Sequence, residues 1–290
     1  MENRNNLQKV SRKIKGFFWL LRLTRTPMVA IITGSAAFAS GAGIANSLWM
    51  TLVGFCLGVG GFSLDYYADM DLDMEGVRAA LRRNPLAEGM LSPRVGLIFS
   101  ISAIILSMIL TVLISPPSII PWLIIVLVFV GLALHWFETP LLRATTLGLL
   151  QALYILMGAL AGRLSLGLFM LSIMFFFAMF AGRGLTDIRD YPLDINTPVQ
   201  TIPKRFGIRY TTIFIFVGLL IAHAFGLGAW LTGEFNLNYL FIMLGATLVG
   251  LTCSLIFLFK PSPHLARIFT IVFMVGEGLG ITMALIFGSL

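Results

Sequence analysis

Long apolar runs separated by short polar connections make up most of this chain. A membrane-spanning helix needs about 20 apolar residues. Nine runs approach that length: 28–46, 48–68, 94–115, 118–136, 143–162, 164–186, 209–231, 237–259 and 267–288. Several are rich in Gly and Ala, as tightly packed membrane helices tend to be. Ahead of them, residues 1–27 hold seven Lys or Arg, with Phe17, Phe18, Trp19, Leu20, Leu21 and Leu23 interleaved with the last of these. That pattern predicts an amphipathic helix lying on the inner leaflet, with Pro27 starting the first span. The expected architecture is therefore all-α and integral to a membrane. A basic amphipathic segment over 1–27 precedes a single nine-helix transmembrane domain over 28–290, with no soluble domain or long linker between spans. No cleavable signal peptide is visible, because Met1 to Lys15 is polar and basic and no small-residue cleavage site follows a short apolar core.

Composition supports that class. The 290 residues are 58% hydrophobic and only 11% charged, against about 25% charged in soluble domains, and the mean hydropathy is +0.94. With the N-terminus inside, nineteen of the 20 Lys and Arg fall on the inner side, Arg163 being the exception. The net charge of +7 thus reads as topology and contact with lipid headgroups, not as nucleic-acid binding. Cys56 and Cys253 both lie inside apolar runs and imply packing, not a disulfide.

The acidic residues change the picture. The chain has 13, and eight of them fall in two stretches: Asp65, Asp69, Asp71, Asp73 and Glu75 in the first, Asp187, Asp190 and Asp194 in the second. Both lie at inner ends of predicted spans. At about 100° per residue, Asp65, Asp69 and Asp73 drift only about 40° per step and line one helix face. Asp187, Asp190 and Asp194 also share a face. Like charges at these spacings destabilise a helix unless something positive sits between them. Carboxylate oxygens are the ligands Mg²⁺ prefers, and Mg²⁺ is commonly held by one or two carboxylates together with substrate phosphates. Asp71 and Glu75 point off the shared face and are expected to be solvated. Glu277, inside the last span, is expected to face the interior. His135, His223 and His264 show no ligand spacing and read as structural.

Spans two to four and six to eight form a rough repeat, each beginning with a span that ends in an acidic motif. Two pseudo-symmetric halves would face the motifs across a central cavity. After the first motif come Arg78, Arg82 and Arg83, then Asn84-Pro85, Gly89 and Ser92; after the second come Thr201, Pro203, Lys204, Arg205 and Gly207. These segments resemble the UbiA superfamily of intramembrane prenyltransferases over nearly the whole chain. The family's first motif reads N-D-x-x-D-x-x-x-D, met at Asp69 and Asp73, with Asp65 in the Asn place and Tyr66 in the first Asp place. In the following R-P-x-x-x-G-x-x-S segment Asn84 takes the Arg place, and Pro85, Gly89 and Ser92 match. The second motif, D-x-x-D-x-x-x-D, is complete in Asp187, Asp190 and Asp194, as is its T-x-P-x-R-x-G tail in Thr201, Pro203, Arg205 and Gly207.

The resemblance implies Mg²⁺-dependent transfer of a polyprenyl group, such as that of geranylgeranyl diphosphate, to a lipophilic acceptor. A quinone-type aromatic is the first choice of acceptor, and geranylgeranylglyceryl phosphate a close second. Asp65, Asp69, Asp73, Asp187, Asp190 and Asp194 are the metal candidates, with Asp69 and Asp190 also expected to be catalytic; Asp194 can equally position a neighbour. Arg22, Arg83 and Arg143, with Lys204 and Arg205, are candidates for the diphosphate. Arg22 and Arg83 can equally bind anionic lipid, and Arg143 can snorkel from a helix end. Tyr66, Tyr67 and the further catalytic candidate Tyr154 are placed to stabilise an allylic cation; Tyr154 and Gln151 can also serve as hydrogen-bonding residues between helices. A cation-coupled transporter with the acids as its ion site is the alternative, although transporter sites lie nearer the bilayer midplane. The expected setting is a prokaryotic cell membrane with the N-terminus and both acidic motifs cytoplasmic.

Overall fold

The structure is a computed structural model that describes residues 2–22, 25–70, 84–196, 200–273 and 278–289. Its described secondary structure is helical. In chain order the helices are α1 (Glu2–Leu20), α2 (Thr26–Ala39), α3 (Gly43–Ala68), α4 (Pro93–Ile114), α5 (Ile119–Ala133), α6 (Pro140–Ala159), α7 (Leu166–Asp194), α8 (Ile202–Phe206), α9 (Ile208–Trp230), α10 (Leu237–Phe259), α11 (Pro263–Ile271) and α12 (Gly278–Gly288). Among the described residues, seven segments are long and apolar enough to cross a membrane: α3, α4, Pro116–Ala133 (α5 with its short 3-10 lead-in), α6, α7, α9 and α10.

One of the nine expected spans is shorter than a bilayer's hydrocarbon, and another is described only in part. The run 28–46 reads as continuous because Gly and Ala keep it apolar. The chain nevertheless turns between Ala39 and Gly43, where Gly41 and Gly43 adopt φ of +81° and +80°. This leaves α2 with 14 residues, about 21 Å against the roughly 30 Å needed. The run 267–288 is described as α11, followed by a π turn at Val272 and Phe273, and as α12; residues 274–277 lie outside the described residues. Elsewhere polar caps set the ends. Ser92, Ser165 and Ser262 accept hydrogen bonds from the backbone N–H groups of Val95, Leu168 and Leu265, and Asn236 accepts from Asn238 and Tyr239. Pro93 and Pro263 stand in first helical turns, where a missing N–H costs nothing.

The helices pack through small residues. Gly158 of α6 lies directly against the backbone of Thr33 in α2, so any side chain there would collide with it. Gly60 of α3 meets Ile104 and the backbone of Ser100 in α4, where the Ser100 hydroxyl donates to the Gly60 carbonyl at 2.7 Å. Gly184 of α7 faces Ile215 of α9, and Gly218 of α9 faces Ala181. Of the two acid-bearing helices, α3 thus rests on α4 and α7 on α9. One core unites α2, α3, α5 and α6 through residues such as Leu57, Trp122 and Leu153. Another unites α2, α6, α7, α9, α10 and α12 through Ile32, Ile155, Leu171 and Leu285. Helices α2 and α6 therefore belong to both halves.

Candidate active site

Helix α3 ends where the first acidic motif begins. Its last residue is Ala68 and its C-cap is Asp69, which is buried and whose N–H donates to the Asp65 carbonyl at 2.9 Å. Asp65 and Asp69 therefore do share this helix end. Asp73, Asp71, Glu75, Arg78, Arg82 and Arg83 lie outside the described residues. Asp65 is paired with Arg22, Nη1 to Oδ2 at 2.8 Å. Arg22 sits in the α1–α2 turn with a φ of +45° and is buried. Its guanidinium lies over the rings of Phe62 (5.2 Å) and Tyr66 (4.5 Å), a geometry in which the ring quadrupole attracts the cation. Tyr66 is buried and Tyr67 exposed. Asn84 closes the motif from beyond. Only 1% exposed, it donates from Nδ2 to the Tyr66 carbonyl at 2.8 Å and accepts at Oδ1 from the N–H groups of Leu86 and Ala87. In the place of the family's Arg, this residue is a backbone clasp.

The second motif stays helical, because α7 runs on through Pro192 to Asp194. Asp187 is 2% exposed and takes an ion pair from Arg183, one turn earlier, at 2.7 Å. Its other oxygen accepts from the N–H of Ile202 at 3.0 Å, tying the motif to the first turn of α8. Asp190 is gripped by its neighbour Arg189 through two hydrogen bonds of 2.7 Å. Asp194 is buried, and its carbonyl accepts from Lys204 Nζ at 3.2 Å. Arg205 is exposed, lying over the ring of Phe206. Arg143 is half-buried in the first turn of α6. Sequence reasoning missed Arg183, although the i, i+4 spacing to Asp187 was the signal for it.

Both acid-bearing helices wall one cavity of about 180 Å³. Its lining reaches Phe62, three residues before Asp65, and Thr186, next to Asp187. Arg25 and Arg183 supply charge, and the rest is mostly apolar, with Phe129 seated against Gly61 of α3. On α6, Gln151 and Tyr154 line the same space. Gln151 Oε1 and the Tyr154 hydroxyl are buried and have no hydrogen-bond partner among the described residues. An unsatisfied buried polar atom costs about 1–3 kcal/mol, so a ligand or water that donates to Gln151 Oε1 or bonds the Tyr154 hydroxyl would bind favourably. The Thr201 hydroxyl, at the N-cap of α8, is likewise buried and unpartnered.

Among the described residues no three His, Cys, Asp or Glu side chains gather closely enough to form a metal cage by themselves. The donor set fits Mg²⁺, since every acid here offers hard oxygen ligands. His135, His223 and His264 stand on separate elements, and His223 contacts Thr247 through Nδ1 at 3.2 Å. Cys56 and Cys253 are unbridged thiols. Glu277 lies outside the described residues.

No curated protein matches the chain. Solved structures share its fold. A digeranylgeranylglyceryl phosphate synthase superposes with a TM-score of 0.78 at 19% identity, covering 96% of this chain and 98% of that one. A UbiA homolog from Archaeoglobus fulgidus, bound to DMAPP and Mg²⁺, gives 0.68 at 18% identity over 92% and 97%. A UbiA homolog from Aeropyrum pernix K1 gives 0.69 at 17% identity over 89% and 99%. Residues 27–276 match the UbiA prenyltransferase family, a stretch that includes both acidic helix ends and most of the residues that line the cavity. With seven apolar helices of spanning length and this match, the chain is a multi-pass membrane protein that belongs to the UbiA prenyltransferase family.

Proposed function

We propose that this protein transfers a polyprenyl group from an isoprenoid diphosphate to a lipophilic acceptor, with Mg²⁺ at the acidic helix ends. The observation that carries the reading is the shared cavity: α3 and α7 each contribute a wall residue within three positions of a motif carboxylate. Asp69, Asp73, Asp187 and Asp190 would hold the metal, with Asp65 and Asp194 supporting them. When bound, Mg²⁺ neutralises charge that builds on the leaving diphosphate. Arg22, Arg183 and Arg189 already lie against the carboxylates, so the helix ends carry both the acids that bind metal and the cations that bind phosphate. Arg83, Arg143, Lys204 and Arg205 extend that cationic rim. The apolar cavity takes hydrocarbon and excludes water, which protects an allylic cation from hydrolysis. Tyr66, Tyr67 and Tyr154 are the aromatic candidates for holding it.

A quinone-type aromatic or geranylgeranylglyceryl phosphate is the proposed acceptor. The orientation that satisfies the positive-inside rule puts both acidic ends and the N-terminus in the cytoplasm of a prokaryotic cell. Residues 1–27 then lie on the inner leaflet, with residues 28–290 as one catalytic domain. In α1, Val10, Ile14, Phe17 and Phe18 are exposed and offer an apolar side for that contact. An ion-coupled transporter is the weaker reading, because the acids stand at helix ends and not at mid-helix. Purified protein in detergent should release diphosphate from geranylgeranyl diphosphate only when Mg²⁺ and an acceptor are both present. Absence of release with every acceptor and chain length would overturn the assignment.

A further inference from the structure

Residues Gln151 and Tyr154 stand three apart on α6 and so face the same way. Both line the cavity, and each buries a polar atom that no described residue satisfies. Tyr154 is 1% exposed, and the cavity it lines is also walled by Val29, Leu150, Phe175 and Ile281. Aromatic stabilisation of a cation would need only the tyrosine ring. It gives no account of a hydroxyl that no described residue bonds, nor of the amide oxygen three residues earlier on α6 with the same deficit.

The two atoms are complementary to one chemical group. An amide oxygen accepts only, and a phenolic hydroxyl donates as well as accepts. A ligand hydroxyl satisfies both at once, donating its proton to Gln151 Oε1 and accepting from the Tyr154 O–H. A carbonyl or ether oxygen satisfies Tyr154 alone and leaves Gln151 unpaired. We infer that Gln151 and Tyr154 form a subsite that binds the hydroxyl of the prenyl acceptor. This rests on the prenyl-transfer reading above and deepens it. The pair are positioning and specificity residues, holding the acceptor hydroxyl inside the cavity walled by both acid-bearing helices.

The test uses the full-length protein and two probes: a para-substituted phenol and a prenylated glyceryl ether with a free hydroxyl, each beside its O-methyl derivative. Binding is measured directly, without prenyl diphosphate, for wild type, Tyr154→Phe and Gln151→Leu. The steady-state KM of each substrate is measured alongside. Tyr154→Phe keeps the ring and removes only the hydroxyl, so a purely cation-stabilising tyrosine predicts no change in acceptor binding. The subsite predicts about tenfold weaker binding of one free-hydroxyl probe in each variant and a matching rise in acceptor KM. The KM for the diphosphate substrate should move little, and the O-methyl derivative should bind weakly throughout. Whichever probe responds identifies phenol or alcohol as the source. Unchanged probe binding in both variants overturns the inference, as does a wild type that binds neither probe and keeps only a water between the two atoms. Because binding is read without turnover, failure of prenyl transfer itself is seen separately, as absent diphosphate release by wild type.

Discussion

At the end of α3, Asp65 meets a guanidinium that comes from 43 residues earlier in the chain, whereas at the end of α7 both Asp187 and Asp190 meet arginines of their own helix. The first end is completed from outside. Arg22 enters from the α1–α2 turn, and Asn84 returns from beyond the motif to clasp the Tyr66 carbonyl. The second end is supplied largely from its own helix, with Arg183 one turn before Asp187 and Arg189 next to Asp190; the Ile202 N–H and Lys204 arrive from the tail. A carboxylate neutralised by its own helix keeps its partner as long as that helix exists. One neutralised by a distant turn depends on tertiary packing, so the two ends should respond differently to the same kind of damage.

The largest effect belongs to the carboxylates that both ends are proposed to share with Mg²⁺. Asp69→Ala and Asp190→Ala should each lower prenyl transfer at least about a hundredfold, equivalent to about 2.7 kcal/mol of transition-state stabilisation, while the protein still inserts and purifies. Retained wild-type activity in either variant would remove that carboxylate from the metal site. Next, Arg183→Met leaves Asp187 buried without its cation. A detergent melt should show a loss of about 3 kcal/mol, and a shift near zero would mean that the Ile202 N–H alone suffices.

The third prediction concerns the long-range pair. Arg22→Met should destabilise by about 2 kcal/mol through the lost ion pair and the lost contacts with Phe62 and Tyr66. Combined with Asp65→Asn, which installs the family's usual residue, the loss should be less than additive by about 1 kcal/mol. Strict additivity would show that the pair does not couple the α1–α2 turn to α3. Asn84→Ala should cost about 2 kcal/mol, as the Tyr66 carbonyl and two N–H groups lose their partner. The smallest effect is expected at the exposed rim, where Arg205→Ala should raise the KM for the diphosphate substrate only a few-fold, about 1 kcal/mol or less. A large loss of kcat there would move Arg205 from the rim to the reacting atoms.

Pattern alone was sufficient for the class, for seven of the spans and for both acidic ends, because apolar length and the clustering of rare acids are local properties of a chain. The Asp187–Asp190–Asp194 spacing also carried over directly, since one continuous helix presents all three. Other features needed the folded chain. The turn at Gly41 and Gly43 is hidden from hydropathy because glycine is neutral on that scale, yet it cuts the first span short. Asn84 looks like a lost arginine in sequence and proves to be a clasp, because its role depends on where the Tyr66 carbonyl ends up. The pairing of Arg22 with Asp65, and the meeting of Phe62, Thr186 and Tyr154 around one cavity, join positions tens of residues apart. A linear pattern records which residues lie along one helix. Which helices face one another, and so which charges and unsatisfied polar atoms share a space, is decided by packing.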